Sequence, residues 1–158
     1  MNTRAPISSG GARLSKTLRP YWTDQRERDL SLAQLALDND YPEWACYLAQ
    51  QAAEKAVKSV FFELETHWPH QFTVHNINDL ILYVPAKFLV GANRSEFSEA
   101  AERFVAEEIH NAPRYPGILP PGYSPQDKFD DIKAKEFIRD ARVIVENVSI
   151  IIKNISNE

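Results

Sequence analysis

Pro42-Glu43-Trp44-Ala45-Cys46-Tyr47-Leu48-Ala49-Gln50-Gln51-Ala52-Ala53-Glu54-Lys55-Ala56-Val57-Lys58 is the stretch from which the fold is read. Proline is tolerated in the first turn of a helix, where its missing N–H has no intrahelical partner to lose. Behind it Trp44, Ala45, Leu48, Ala49, Ala52, Ala53, Ala56 and Val57 recur at helical spacing, and Val60, Phe61 and Leu64 prolong the pattern. The small residues Ala45, Ala49, Ala52 and Ala56 let a neighbouring helix approach closely. Such a helix belongs at the centre of a bundle.

Upstream, Trp22, Leu30, Ala33 and Leu37 fall near one stripe, which predicts a first helix over residues 22–39 capped by Thr23 or Asp24. Downstream, Asn78 can cap a short third helix running toward Leu89, which Pro85 ends or kinks. Phe97, Ala100, Ala101, Phe104 and Val105 predict a fourth helix over residues 95–110. Pro113, Pro116, Pro120 and Pro121 then make residues 111–123 a loop. Ser124, Pro125 and Asp127 together signal an N-cap, a first helical position and a first-turn acid. From there apolar residues from Phe129 to Ile155 predict one helix of about 30 residues, roughly 45 Å long. Long rods joined by short loops give an all-α, up-and-down antiparallel bundle of four to five helices.

Composition agrees. A chain of 158 residues, 44% hydrophobic and 25% charged, suits one domain that buries roughly two thirds of its unfolded surface. Five glycines are too few for a turn-rich all-β fold. Cys46 is the lone cysteine, which excludes an intramolecular disulfide and fits a reducing compartment. The most apolar run, residues 143–155, is broken by Glu146, Asn147, Lys153 and Asn154 and falls short of the roughly 20 apolar residues a membrane span needs. Arg4 and Arg13 precede no continuous apolar segment, so no secretory signal is expected and the cytoplasm is the expected location.

The net charge of −4 is unevenly spread. Residues 1–20 hold Arg4, Arg13, Lys16 and Arg19 without an acid, which leaves residues 21–158 at −8. Residues 1–20 read as a flexible basic leader and residues 21–158 as the bundle. An acidic body binds nucleic acid poorly through bulk charge, so a phosphate site would have to be a local basic pocket.

The run from Gln50 to Lys58, preceded by Trp22, Asp29-Leu30 and Ala33 and followed by His75 and Asp79-Leu80, resembles the HEPN family. Arg114-Tyr115-Pro116, in the loop before the last long helix, resembles the Arg-Tyr-Pro element of many prokaryotic members. The family's loop histidine stands directly before Asp-Leu, whereas Asn76, Ile77 and Asn78 separate His75 from Asp79 here. The resemblance implies a four- or five-helix bundle, a homodimer, and frequent pairing with a minimal nucleotidyltransferase in toxin-antitoxin systems.

It also implies candidate chemistry. Active members carry an Arg followed, after four to six residues, by a His and act as metal-independent ribonucleases; Arg103 and His110 match the longest spacing. On a continuous helix seven positions bring the two within roughly 20° of one another, on a face roughly 140° from the apolar stripe. A neutral imidazole could then deprotonate an RNA 2′-hydroxyl while the guanidinium holds the phosphate. The competing reading pairs Arg103 with Glu99 and Glu107, four residues to either side, as ordinary surface ion pairs.

Arg114 and Tyr115 form a second candidate, a guanidinium to hold a phosphate beside a ring to stack a base. Alternatively Tyr115 anchors the loop and Arg114 caps the carbonyl end of the fourth helix. Lys55 and Lys58 would add positive charge, or else are partners of Glu54 and Gln51. His75 is a further ligand-binding candidate. His67, His70 and His75 are too loosely spaced to predict a metal site, and no cofactor motif is present.

The leading expectation is a homodimeric HEPN protein that binds a nucleotide or RNA phosphate and works with a nucleotidyltransferase partner. A toxin ribonuclease using Arg103 and His110 and a ligand-free interaction bundle are the alternatives.

Overall fold

The computed structural model describes residues 13–66 and 76–158. Four long helices carry the fold: α1 (Arg19–Asp38), α2 (Pro42–Glu63), α4 (Arg94–Ala106) and α6 (Asp131–Ser156). Two short ones, α3 (Ile77–Ile81) and α5 (Pro125–Lys128), and 3-10 turns at Lys16–Leu18, Ala86–Leu89 and Pro116–Ile118 link them. No strand occurs among the described residues.

The alanine-rich helix takes the expected place. Ala45, Ala49, Ala52, Ala53 and Ala56 are fully buried, and α2 packs against α1 on one side and α6 on the other. The cross-contacts fix the directions. Ser156 near the end of α6 bonds Glu63 at the end of α2, so these two run parallel. Arg103 meets Asp140, while the Asn93 amide donates to Asn147, so α4 runs antiparallel to α6. The order is therefore up, down, up, down, with α2 at the centre.

Three of the loops between helices are turned by the same device. Asp40, Glu65 and Glu108 have φ values of 63°, 51° and 51°, in the left-handed region that glycine usually fills. Each stands directly after the C-cap residue of a helix, two positions past its last helical residue. The amides of Tyr41, Thr66 and Ile109 reach back to Ala36, Phe61 and Phe104, while those of Asp40, Glu65 and Glu108 reach Leu37, Phe62 and Val105. This is the double bond pattern of a Schellman end.

The third instance corrects an expectation. The fourth helix stops at Ala106 rather than continuing to residue 110, because Glu108 turns left-handed and drives Ile109 into the core at 0% exposure. Arg103 and His110 do not share a helical face.

Other boundaries shift for local reasons. α1 begins at Arg19, not Trp22, because Pro20 suits its first turn. Residues 13–18 are tied down as well: the Leu14 amide donates to Thr66, Arg13 Nε donates to the Glu65 carbonyl and Leu14 packs on the core. The cap of α3 is Asn76 rather than Asn78, and α3 ends ahead of Pro85 rather than running to Leu89. Asn93 caps α4, one residue before Arg94.

The expected single C-terminal helix is two. Ser124 and Asp127 form the capping box read from the sequence, but α5 lasts one turn. Phe129 breaks out of it to become fully buried, and Asp130 caps a new helix by accepting the Lys133 amide at 2.9 Å. α6 spans 26 residues, about 39 Å. Ile132, expected in its apolar stripe, is 77% exposed.

No helix among the described residues is long and apolar enough to cross a membrane.

Candidate functional site

The nominated cations meet different fates. Arg103, on the last turn of α4, grips the carboxylate of Asp140 on α6 with Nε to Oδ2 at 2.7 Å and NH2 to Oδ1 at 2.8 Å. Glu136 lies further off at 3.8 Å. The hydrogen bond to Asp140 raises the pKa of the guanidinium above its ordinary value, against the opposing effect of burial. Asp140 itself is 1% exposed. The expected local partners contribute elsewhere: Glu99 accepts from Ser95, and Glu107 takes Lys128 and Lys133 at 3.4 and 3.2 Å. Burial alone would raise the Glu107 carboxyl, but Lys133 and Lys128 outweigh it and hold the group below its ordinary value.

Lys55 and Lys58 belong to a chain of polar contacts between α1 and α2. Gln25 donates to Asp29 at 2.9 Å, and Lys55 donates to the other Asp29 oxygen at 2.6 Å. Lys55 also reaches Gln51 at 3.5 Å, Gln51 donates to Gln50 at 2.7 Å, and Gln50 donates to Glu54 at 2.8 Å. Lys58 closes the chain on Glu54. Asp29, Gln50, Glu54 and Lys58 are all buried. A buried charge is costly unless paired and hydrogen-bonded, and both lysines meet that condition within the bundle.

Arg114 differs. Its NH2 and Nε donate to the His110 carbonyl at 2.7 and 3.2 Å, and NH2 also reaches Asn111 Oδ1 at 3.4 Å. The guanidinium carbon lies 4.6 Å from the centre of the Tyr47 ring on α2 and 5.0 Å from that of Tyr115. No carboxylate pairs with it among the described residues, and the NH1 donors are uncommitted. The expected carbonyl-capping role is thus present, on His110 beyond the helix, yet the charge is left unneutralised.

The neighbourhood carries both signs of charge. Arg114 touches Tyr47, and the adjacent Cys46 feels Lys133 together with the acids Asp130 and Glu43, so the charges around the first turns of α2 are mixed and Lys133 is already paired with Glu107. Tyr115 is 49% exposed, and buried Ala112 and Pro113 anchor the segment that carries it. The structure therefore brings Arg114, Tyr115 and the His110 backbone together. It sets Arg103 on Asp140 and keeps Lys55 and Lys58 in the α1–α2 chain.

Tyr47 is the member of this site that the sequence did not nominate. It stands 67 positions from Arg114, and its place within an apolar helix gave no sign of a cation partner. His75, with His67 and His70, lies outside the described residues. Among the described residues no group of metal-ligating side chains comes together.

The HEPN domain profile matches residues 20–151. Among solved structures, that of TT1696 from Thermus thermophilus is 29% identical, covers 84% of this chain and 96% of its own, and superposes with a TM-score of 0.69. ST0689, described as an archaeal HEPN homologue, is 28% identical over 83% of this chain and 94% of its own, with a TM-score of 0.63. No curated protein matches the chain. A profile spanning the bundle from α1 into α6, together with two structures sharing that bundle almost end to end, leads to one conclusion: this chain belongs to the HEPN domain family.

Proposed function

We propose that the protein binds a nucleotide or RNA phosphate at the end of the bundle where α2 and α6 begin, with Arg114 taking the phosphate and Tyr115 stacking a base. One observation carries this reading. Of the four cations nominated from the sequence, Arg103, Lys55 and Lys58 pair with carboxylates and only Arg114 rests on neutral partners. A guanidinium pre-positioned between two rings, with two free donors, suits a phosphate oxygen, and an exposed tyrosine gives a base a face to stack on.

A homodimer that works with a minimal nucleotidyltransferase is the setting that family membership supports. Leu32 and Leu35, exposed at 44% and 56% on α1, offer apolar surface to a second copy. The test of the site is a titration with short single-stranded RNA followed by backbone amide shifts. Saturable shifts centred on residues 110–116 and on Tyr47 support the reading. Shifts confined to another face defeat it by placing the ligand elsewhere, and the absence of shifts defeats it and leaves the ligand-free interaction bundle.

A catalytic version has one observation in its favour: Arg114 bonds the His110 backbone and so keeps a guanidinium beside the only histidine among the described residues. In the pairing of Arg103 with His110, Arg103 would first have to leave Asp140. RNA cleavage in the presence of a chelator, lost in His110→Ala, would establish the ribonuclease. Loss in Arg103→Ala with an intact fold would assign the second member of the pair.

A further inference from the structure

Between α3, the Ala86–Leu89 turn and α4 lies a cavity of about 520 Å³ that reaches Ile151, near the end of α6 remote from Arg114. A volume of this size suits a small molecule. Val84, Phe97 and Ile151 form an apolar floor, each of them buried. Leu82 and Tyr83 line the same cavity but stay exposed, so its rim is apolar as well and waits for a partner that the bundle does not supply.

The polar lining is short of donors. Asp79 on α3 and Glu102 on α4 bring carboxylates to the cavity, and neither makes an ion pair or a side-chain hydrogen bond among the described residues. Asn78 lines the cavity too, and its amide oxygen is shut off from solvent with no hydrogen-bond partner. A buried oxygen that bonds nothing is costly, so its presence in the wall of a cavity points to a donor that belongs there. The one cation of the lining, Arg94, is the first residue of α4, and Glu102 stands eight residues on, about 12 Å along the axis. Two carboxylates against one guanidinium give the lining a formal charge of −1. Anions are disfavoured there, and a monocation balances the site. A ligand shorter than the span from Arg94 to Glu102 can meet the carboxylate without approaching the guanidinium.

We infer that this cavity binds a small protonated primary amine with a compact apolar or aromatic body. The body rests on Phe97, Val84 and Ile151, and the ammonium group donates within the acceptor lining of Asn78, Asp79 and Glu102. An ammonium carries three N–H donors and no acceptor, which is the complement of a wall that offers oxygens alone. The site is separate from the Arg114 site and does not depend on it.

Three probes that share one aromatic body and differ in charge test the inference on the full chain: 2-phenylethylamine, 2-phenylethanol and 3-phenylpropionate. Binding is followed by calorimetry and by the amide signals of residues 78–102. The amine is expected to bind saturably, with shifts on α3 and α4, about tenfold more tightly than the alcohol, and the carboxylate more weakly still. Glu102→Gln and Asp79→Asn are exposed changes that spare the core. Each weakens the amine about three- to fivefold and leaves the alcohol nearly unchanged, as the loss of an exposed charge partner should. Arg94→Ala is the sharper variant: removing a like charge strengthens the amine about twofold, whereas mere damage to the cavity would weaken all three probes together. Arg114→Ala leaves the amine unchanged. The inference is overturned if the amine does not bind saturably, if the carboxylate matches or exceeds it, or if its advantage over the alcohol survives Asp79→Asn and Glu102→Gln combined. Weaker amine binding in Arg94→Ala or in Arg114→Ala would equally overturn it, the first by reversing the electrostatic sign and the second by moving the ligand to the other end of the bundle.

Discussion

Arg103 closes on Asp140 through two hydrogen bonds at once, at 2.7 and 2.8 Å, joining α4 to α6 across 37 positions of sequence. The carboxylate is 1% exposed, while the Arg103 side chain is 38% exposed. The pair is therefore a buried acid held by a guanidinium reaching in from the surface. Such a contact is a poor reservoir of free positive charge and a good structural tie.

Arg103→Ala should destabilise the fold by about 1–3 kcal/mol, because it leaves a buried carboxylate with only Arg139, 3.6 Å away, to answer it. Asp140→Asn added to Arg103→Ala should recover part of that loss. Urea melts of the two singles and the double measure the coupling directly. An Arg103→Ala protein as stable as the parent would remove the tie from the account.

Glu108→Gly and Glu65→Gly should each stabilise by about 0.5–1 kcal/mol, since both positions hold a left-handed backbone that costs an ordinary side chain roughly 1–2 kcal/mol. Glycine's extra freedom in the unfolded chain offsets part of the gain. Thermal melts should show a higher Tm for each and near-additivity for the pair, because the two turns end different helices. A lower Tm for Glu108→Gly would mean that the carboxyl does something at that position beyond occupying the turn.

Glu107 has its carboxyl pKa held down in the folded state, chiefly by Lys133 once the opposing effect of burial is overcome. A depressed acid adds stability that is fully present above its ordinary value of 4.5 and is lost as the pH falls through the lower folded value. Asp127, held below its ordinary 3.8 by the Ser124 backbone and hydroxyl, acts in the same direction. Stability should be flat just above pH 5 and fall below it, and Glu107→Gln should flatten that fall. An unchanged acid limb in Glu107→Gln would show that the ties to Lys128 and Lys133 count for little.

Burial pushes the Cys46 thiol up to about 12, so almost no thiolate exists in the folded protein at pH 8. Alkylation should be slow in native buffer and rise steeply with denaturant as the bundle opens. Labelling as fast as that of a free thiol without denaturant would place the start of α2 outside the core.

What the sequence made legible was local. The Ser124-Pro125-Asp127 start needed only neighbours, and it formed as read. The alanine pattern of α2 was equally plain, because burial of that helix on two sides leaves a periodic mark. The stop of α4 was hidden because its left-handed turn sits on Glu108, where a glycine would have announced it. The break at Phe129 was hidden because an apolar residue at helical spacing looks the same whether the helix continues or restarts. Side-chain partners were the least visible: Asp140 for Arg103, Asp29 for Lys55 and Tyr47 for Arg114 are brought by tertiary packing from 37, 26 and 67 positions away. Glu99 and Glu107 had been the natural partners for Arg103 by helical spacing, and distance along the chain says nothing about the competitor on α6.

Fluorescence anisotropy of a labelled single-stranded RNA at a series of salt concentrations tests most directly whether Arg114, left without a carboxylate, holds the phosphate. Arg114→Ala should weaken binding about tenfold or more and lower the slope of log affinity against log salt by about 0.7, the loss of one phosphate contact. Binding of Arg114→Ala with the parent's affinity and salt slope would contradict it.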